Sequence, residues 1–413
     1  MNFELLIAKR LIGSRGYKNN ISAPIIKIAI TAIAIGVIMM LVSVATGIGL
    51  KQKIREKIEA FNGHIIIGNL DNISADVTDH PIALPQDFYP DFKAVPEVSH
   101  IQAVASKYGV IRTETDFEAA VVKGVGPDYE WKYFKDFLVE GRLPDYGDSK
   151  EYSTEILLSQ YMANRLGFKI GDKVIVYFMN SDKQNRTRLV AFDIVGIFNS
   201  GFREFDKTYL IADLTQIQRL NKWDKNEVGG FEVFVNDFDD IDKLGGEVYQ
   251  HLDYHLDSRT IKQKFPSIFR WLSIFDFNIA LIIGIMIVVA GINMITALLV
   301  LILERTQMIG MLKVLGCSNW SVQKIFLYNA TYLVGKGLFW GNMIGVSILL
   351  IQKYFKLIPL NPDTYYVTEA PIYLSLSYFV FISLGTLILC VLMLLLPSYI
   401  ITKITPVKAL RFE

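Results

Sequence analysis

The sequence predicts an integral membrane protein with four transmembrane helices in a one-plus-three arrangement and a large α+β domain inserted between spans one and two. Three observations predict it. Four apolar runs are each long enough to cross a bilayer, which takes about 20 mainly apolar residues. One run precedes and three follow the stretch 51–270, which has the mixed character of a water-soluble domain. Lys and Arg alternate along the chain in the way that orients membrane helices.

The four runs are Ile25–Leu50, Phe277–Leu303, Ile325–Ile351 and Leu374–Ile401. A buried core helix is seldom so long and so free of charge. The hydrophobic fraction is 52% and the mean hydropathy +0.33, too apolar for one soluble globule and too polar for a chain mostly in lipid. The first run follows a long N-terminal segment and has no short apolar core with a small-residue cleavage site, so it reads as a retained anchor. The expected organisation is a segment 1–24, a span 25–50, a domain 51–270, and spans two to four within 271–413.

Residues 1–24 carry Lys9, Arg10, Arg15 and Lys18. The loop after span two carries Arg305, Lys313 and Lys324, and the tail Lys403, Lys408 and Arg411. Between spans three and four, Lys353 and Lys356 are offset by Asp363 and Glu369. Both termini and the 304–324 loop are therefore expected in the cytoplasm. Lys51, Lys53, Arg55 and Lys57 point the other way, but they open a long domain, and long domains translocate largely regardless of charge. Phe3, Leu6, Ile7, Arg10 and Leu11 recur at helical spacing, which predicts an interfacial helix against membrane lipid.

Within 51–270, strands are expected at HIIIG (64–68), EAAVVKGV (118–125), KVIVYF (173–178), LVAFDIVGIF (189–198), KTYLIA (207–212) and GFEVFV (230–235). Helices are expected near 153–167, 213–222 and 239–253, with turns at Gly171-Asp172 and Asn180-Ser181. Cys317 and Cys390 both lie outside the domain, so no disulfide staples it.

No catalytic constellation is visible. The chain has no GxxxxGK[ST] phosphate loop, no GxSxG elbow and no HExxH pair. His251 and His255 fall at i, i+4 on an expected helix beside Asp253 and Asp257, but no third ligand is spaced for a metal, so none is expected. A net charge of +1 gives no field for nucleic acid. The chain reads as a non-enzyme that moves or binds something.

Polar residues inside the spans stand out. Lys336 falls well inside span three, where a cation costs at least ~2.5 kcal/mol. With Asn329 and Asn342 it forms a candidate intramembrane polar site; snorkelling of Lys336 is the competing reading. Ala29, Ala32, Gly36 and Gly47 make a candidate helix–helix contact face on span one.

The loop ERTQMIGMLKVLGCSNWSVQKIF (304–326) resembles the cytoplasmic loop of the LolC/LolE/MacB/FtsX permease superfamily of ABC transporters, through Glu304, Arg305, Thr306, Ile309, Gly310, Leu312, Lys313, Leu315 and Gly316. VGIFNSGFREFDKTYLI (195–211), IPLNPDTYYVTEAPI (358–372) and PVKALRFE (406–413) are similar to stretches of the lipoprotein-releasing LolC/LolE branch. The resemblance implies a bacterial inner-membrane permease subunit with a MacB-like periplasmic domain, paired with a second copy or a sister permease. Two separate ATPase subunits would hold ATP and Mg, leaving no cofactor in this chain. Segment 304–318 would be the coupling helix docked on the ATPase. ATP-driven movement would be transmitted mechanically to the periplasmic domain, extracting a lipoprotein from the outer leaflet for a periplasmic carrier. Ile309, Met311, Leu312 and Leu315 suit such docking as an apolar stripe, with Arg305 and Lys313 toward acidic rims.

The stretch YFMNSDKQNRTRLVAF (177–192) is short and lacks the proline of the LolC carrier-catching loop, and is more similar to LolE; Lys183, Arg186 and Arg188 are its candidate carrier contacts. Two alternatives follow from the superfamily. One is an FtsX-like regulator of a cell-wall hydrolase, whose outer domain is usually smaller. The other is a MacB-like exporter, which carries its ATPase ahead of span one.

Overall fold

The computed structural model describes residues 3–13, 22–71, 73, 75–114, 116–147, 152–178 and 187–403. The chain divides into two compact units. One comprises Met1–Leu50, Leu272–Pro359 and Ala370–Glu413; the other comprises Lys51–Trp271 and Leu360–Glu369.

The first unit is helical. Among the described residues, four helices are long and apolar enough to cross a membrane: Ser22–Asn62, Pro266–Glu304, Asn319–Phe355 and Leu376–Ser398. A short amino-terminal helix, Phe3–Gly13, precedes them, and an inner helix, Thr306–Val314, joins the second to the third. The first two span helices outrun their apolar cores. The first continues past Leu50 through KQKIREKIEAFN, and the second begins at Pro266, ahead of the apolar run. Their polar ends belong to the other unit.

Close contacts fix the helix directions. A Cβ on Gly337 would meet Ile33 at 2.7 Å, one on Gly341 would meet Val37 at 2.8 Å, and one on Gly345 would meet Leu41 at 3.0 Å. The third helix therefore runs parallel to the first along a seam of glycines four residues apart. Gly36 faces Met286 and Gly47 faces Ile279, so the second runs antiparallel to the first. Hydrogen bonds Asn342–Ser383 and Gln323 to the Ser398 carbonyl set the fourth antiparallel to the third. Ile33, Val37, Met40, Met294, Phe326 and Leu394 fill the shared core. Lipid tails are as apolar as these side chains, so close backbone approach, not the hydrophobic effect, selects this packing. The expected contact face on the first helix is thus confirmed at Gly36 and Gly47, while the glycine seam of the third helix is a contact that sequence reading missed.

The second unit is built on a ten-stranded mixed sheet. Its strands, with those of a small ribbon, are β1 (Ile65–Asn69), β2 (Ile82–Ala83), β3 (Val98–Arg112), β4 (Phe117–Val125), β5 (Leu138–Gly141), β6 (Glu155–Ser159), β7 (Lys173–Phe178), β8 (Arg188–Phe198), β9 (Tyr209–Asp213), β10 (Glu227–Val228), β11 (Gly230–Val235) and β12 (Leu256–Thr260). The order is β12-β1-β11-β3-β4-β9-β6-β8-β5, with β7 pairing β3 and β8, and β2–β10 forming the ribbon. The β4–β9 and β6–β8 pairs are parallel; the others are antiparallel.

Five expected strands stand within a residue or so of their predicted bounds. The sixth, 207–212, begins only at Tyr209, after a helical turn Arg203–Thr208. The expected helix 153–167 is half strand: EILLS forms β6 and the helix spans Gln160–Leu166. A short apolar run suits either state, and pairing with β8 decides it. The expected helix 239–253 ends at Gln250, so His251 and His255 share no helical face. The turn at Asn180-Ser181 lies outside the described residues.

The close approach at Gly341 is testable. Gly341→Leu would push on Ala34 and Val37 and should lower the thermal stability of the detergent-solubilised chain by about 3–8 °C, the scale of roughly 2–3 kcal/mol for crowded packing. Gly385→Leu, where a Cβ meets nothing within 4 Å, should not.

Candidate functional site

Two places gather the buried packing and hydrogen bonds that bear on function. The inner helix is the first such place. Gly316, at φ +89°, ends the turn after it, and Ser318 caps the third span helix by accepting from the Ser321 N–H. The helix is amphipathic in an unexpected register. Ile309 and Gly310 are buried, and Leu312 packs with Met308, Ile7, Ala8 and Ile325, tying the amino-terminal helix to the foot of the third span. Lys313 Nζ donates to the Ile401 carbonyl at 2.7 Å. The surface the helix offers is instead Met311, Val314 and Leu315, exposed by 52%, 61% and 81%, with Gln307, Gly316 and Glu304 beside them. Of the expected docking stripe, Met311 and Leu315 are available; Ile309, Gly310, Leu312 and Lys313 are committed to packing within the unit. Nine residues are too few for sequence periodicity to separate two apolar faces.

The second place is the joint where the first span helix ends within the sheet unit. Phe61, 1% exposed, enters a box of rings from Phe134, Phe137, Phe198, Phe205 and Tyr209, with centroids 4.8–6.4 Å away. Gly63, at φ +62°, turns the chain, and its N–H donates to the Glu59 carbonyl. The last carbonyls of this helix find buried donors. Lys123 Nζ donates to the Phe61 carbonyl at 2.7 Å, and Tyr129 Oη to the Ala60 carbonyl at 3.0 Å. The same ammonium sits 2.7 and 2.9 Å from the two carboxylate oxygens of Glu232, and Gln102 Nε2 donates to that carboxylate at 2.8 Å. Lys264, just ahead of the second span helix, donates to Asn62 Oδ1 at 3.0 Å. Burial lowers the pKa of Lys123, and the Glu232 carboxylate works against that fall. A buried cation at a helix C-terminus meets the negative end of the dipole. A cavity of about 60 Å³ beside this network is lined by Lys123, Lys264, Glu232 and Asp76, whose charges balance.

The polar residues of the spans do not converge. Asn329 is fully buried in the helical core with neither amide atom hydrogen-bonded. Asn342 exchanges hydrogen bonds with Ser383 at 2.9 and 3.1 Å beside an open apolar groove of about 670 Å³. Lys336 is exposed near the middle of its helix, its Nζ 4.6 Å from the Tyr332 ring centroid. These are three separate environments, not one site.

Lys183 and Arg186 lie outside the described residues. Arg188 is no free basic tip: it donates to the carbonyls of Arg219 and Leu220 at 3.2 and 3.1 Å, closing the C-terminus of the helix Leu214–Asn221.

Two family models match the chain. The MacB-like periplasmic core domain matches residues 28–250, and the FtsX-like permease C-terminal domain matches 280–406. The chain belongs to the MacB-like periplasmic core domain family. Within it, the joint at Phe61 is part of the core-domain match and the inner helix part of the FtsX-like match. The chain is 22% identical over 396 residues to the lipoprotein-releasing system transmembrane protein LolC of Xylella fastidiosa, covering 93% of each. It is 24% identical over 420 residues to LolC of Neisseria meningitidis, covering 96% of each. The lipoprotein-releasing system transmembrane protein LolE of Haemophilus influenzae matches at 21% over 410 residues, covering 95% of each. These identities do not divide LolC-like from LolE-like character.

Lys123 and Glu232 were absent from the sequence-derived candidates, although a lysine inside the apolar run EAAVVKGV was a visible signal. Lys123→Met would strand the Glu232 carboxylate and should cost about 3–5 kcal/mol. Lys123→Met with Glu232→Met should recover much of that loss. Thermal unfolding of the purified chain measures both.

Proposed function

We propose that the chain is the permease subunit of an ATP-driven transporter that extracts lipoproteins from the outer leaflet of the bacterial inner membrane. The observation that carries this reading is similarity along nearly the whole chain to proteins named for lipoprotein release. The sheet unit lies in the periplasm and passes the lipoprotein to a periplasmic carrier. Both termini and the inner helix lie in the cytoplasm. Parallel first and third helices support this sidedness, because Lys9, Arg10, Arg305, Lys313 and Lys324 then gather at one membrane face.

Two copies of a separate ATPase supply ATP hydrolysis, and the permease pairs with a second copy or a sister permease. The ATPase groove takes the exposed row Met311, Val314 and Leu315, an apolar helix-in-groove contact. Nucleotide-driven closure of the ATPases moves the inner helix, and its packing on Ile325 and Ala8 passes that movement to the third span and the amino-terminal helix. The first span helix, 41 residues and about 60 Å long, carries movement onward to its buried end at Phe61.

The reading is tested by reconstituting the chain with its ATPase and a lipidated protein in proteoliposomes, and measuring ATP-dependent release to a soluble carrier. Release is the expected result; ATP hydrolysis without release of any lipoprotein would count against it. On the same preparation, Met311→Asp and Leu315→Asp should reduce ATPase binding by at least tenfold while the chain stays folded, the scale of about 1.4 kcal/mol or more for losing an apolar anchor. Ile309→Asp, at a buried position, should instead reduce the yield of folded chain.

A further inference from the structure

Two stretches singled out separately by resemblance, SGFREFD within 195–211 and NPDTYY within 358–372, meet in space although the resemblance assigned neither a partner. The connection between the third and fourth span helices leaves the helical unit at Pro359 and rejoins it at Ala370; the ten residues between, Leu360–Glu369, belong to the sheet unit. Both feet are tied down in the helical unit. Gln352 Oε1 accepts from the Ile358 N–H at 3.1 Å, its Nε2 donates to the Ala370 carbonyl at 3.2 Å, and the Tyr373 N–H donates to the Ala45 carbonyl at 3.0 Å.

The head of the excursion is Tyr366, held at φ +58° after the short turn Pro362–Tyr365. Its ring stacks on Phe202, with centroids 4.7 Å apart, and meets the Trp271 edge at 5.7 Å. Its carbonyl accepts from Lys57 Nζ at 3.0 Å, and Asp363 pairs with Arg203. The receiving loop is preformed. Ser200 donates from Oγ and N–H to Asp206 Oδ1 at 2.7 and 3.1 Å, and Phe202 is fully buried. Burial raises the pKa of Asp206, and these hydrogen bonds together with the Lys57 charge oppose the rise. Lys57 lies on the first span helix, one turn ahead of Phe61.

We infer that Leu360–Glu369 is a permanent latch, through which movement of the third and fourth span helices reaches the sheet unit directly, with Tyr366, Phe202 and Lys57 as its positioning residues. The inference rests on the transport reading, because a latch matters only if the spans move. Exposed ion pairs such as Arg203–Asp363 contribute little, so the stack of half-buried Tyr366 on buried Phe202 and the lysine hydrogen bond hold it. A latch of this kind makes three chain segments, not two, arrive at the sheet unit from the spans: the first helix, the second helix and this loop.

The test uses the full complex with its ATPase in nanodiscs, with Cys317 and Cys390 replaced by Ser. Spin labels at Lys173→Cys and Lys403→Cys report the ATP-dependent change in distance. Tyr366→Gly keeps the left-handed backbone but removes the ring. It should hydrolyse ATP at the parent rate while the population that shows the ATP-dependent distance change falls by up to about tenfold, the equilibrium scale of a lost ring stack. Tyr366→Phe should behave as the parent, which a role for the hydroxyl would not allow. In a separate unlabelled chain, a disulfide between Arg203→Cys and Asp363→Cys should leave ATP-driven release unchanged. Parent-like displacement in Tyr366→Gly, or release abolished by that disulfide, would overturn the latch. A complex that moves as expected but releases no lipoprotein would overturn the transport reading and leave the latch standing; a parent complex that does not move would overturn both.

Discussion

The ammonium of Lys123, donating to the last turn of the first span helix while paired with Glu232, is the contact on which the rest of the architecture depends. A helix that ends inside a protein leaves carbonyls without partners, and each costs roughly 1–3 kcal/mol if buried unpaired. Here a lysine from β4 and a tyrosine from the following loop satisfy them, and five aromatic rings fix the side chain of Phe61 among them. The charge is tolerable in that interior because Glu232 and the helix dipole both favour it. Without this joint the helix would end in a hinge. With it, the polar end of the helix, from Lys51 on, is part of the sheet unit.

The helical unit is held by a different kind of contact. Its seams are made of glycines and small side chains, where backbones meet across van der Waals distance and few hydrogen bonds cross. Among the described residues, Asn342 with Ser383 and Gln323 with the Ser398 carbonyl join the third helix to the fourth, while the first helix receives the Tyr373 N–H at the Ala45 carbonyl. The third helix thus meets the fourth through side-chain hydrogen bonds and the first through close backbone approach.

Much of this was legible in the sequence, for physical reasons that differ by element. The spans could be read because an apolar run of that length has no soluble alternative. Their true ends could not, because Lys51, Lys53, Arg55 and Lys57 look like the start of a new domain when they are the polar continuation of one helix. The longest strand, β3, was missed since Ser99, His100, Gln102, Ser106 and Lys107 dilute its alternation, and neighbours on both sides rescue it. A helix stands within the segment that the resemblance singled out, but Ile309 is buried in the helical core and Leu312 packs against Ala8 and Ile325, the Ala8 contact joining segments some 300 residues apart in the chain. The glycine seam at 337, 341 and 345 stands in the sequence as GLFWGNMIG, but glycine spacing alone does not name the helix it meets. Local pattern names elements well; it says less about which face each one spends on its neighbours.

Everything in the mechanism requires the inner helix and the sheet unit to lie on opposite faces of the membrane. Single cysteines at Met311 and at Lys173, in a chain whose Cys317 and Cys390 are replaced by Ser, can be treated with a membrane-impermeant thiol reagent in cells with a permeabilised outer membrane. The expected result is modification at Lys173→Cys at once and at Met311→Cys only after the inner membrane is broken. Equal modification of both sites in intact cells would contradict a linkage that carries force across the bilayer.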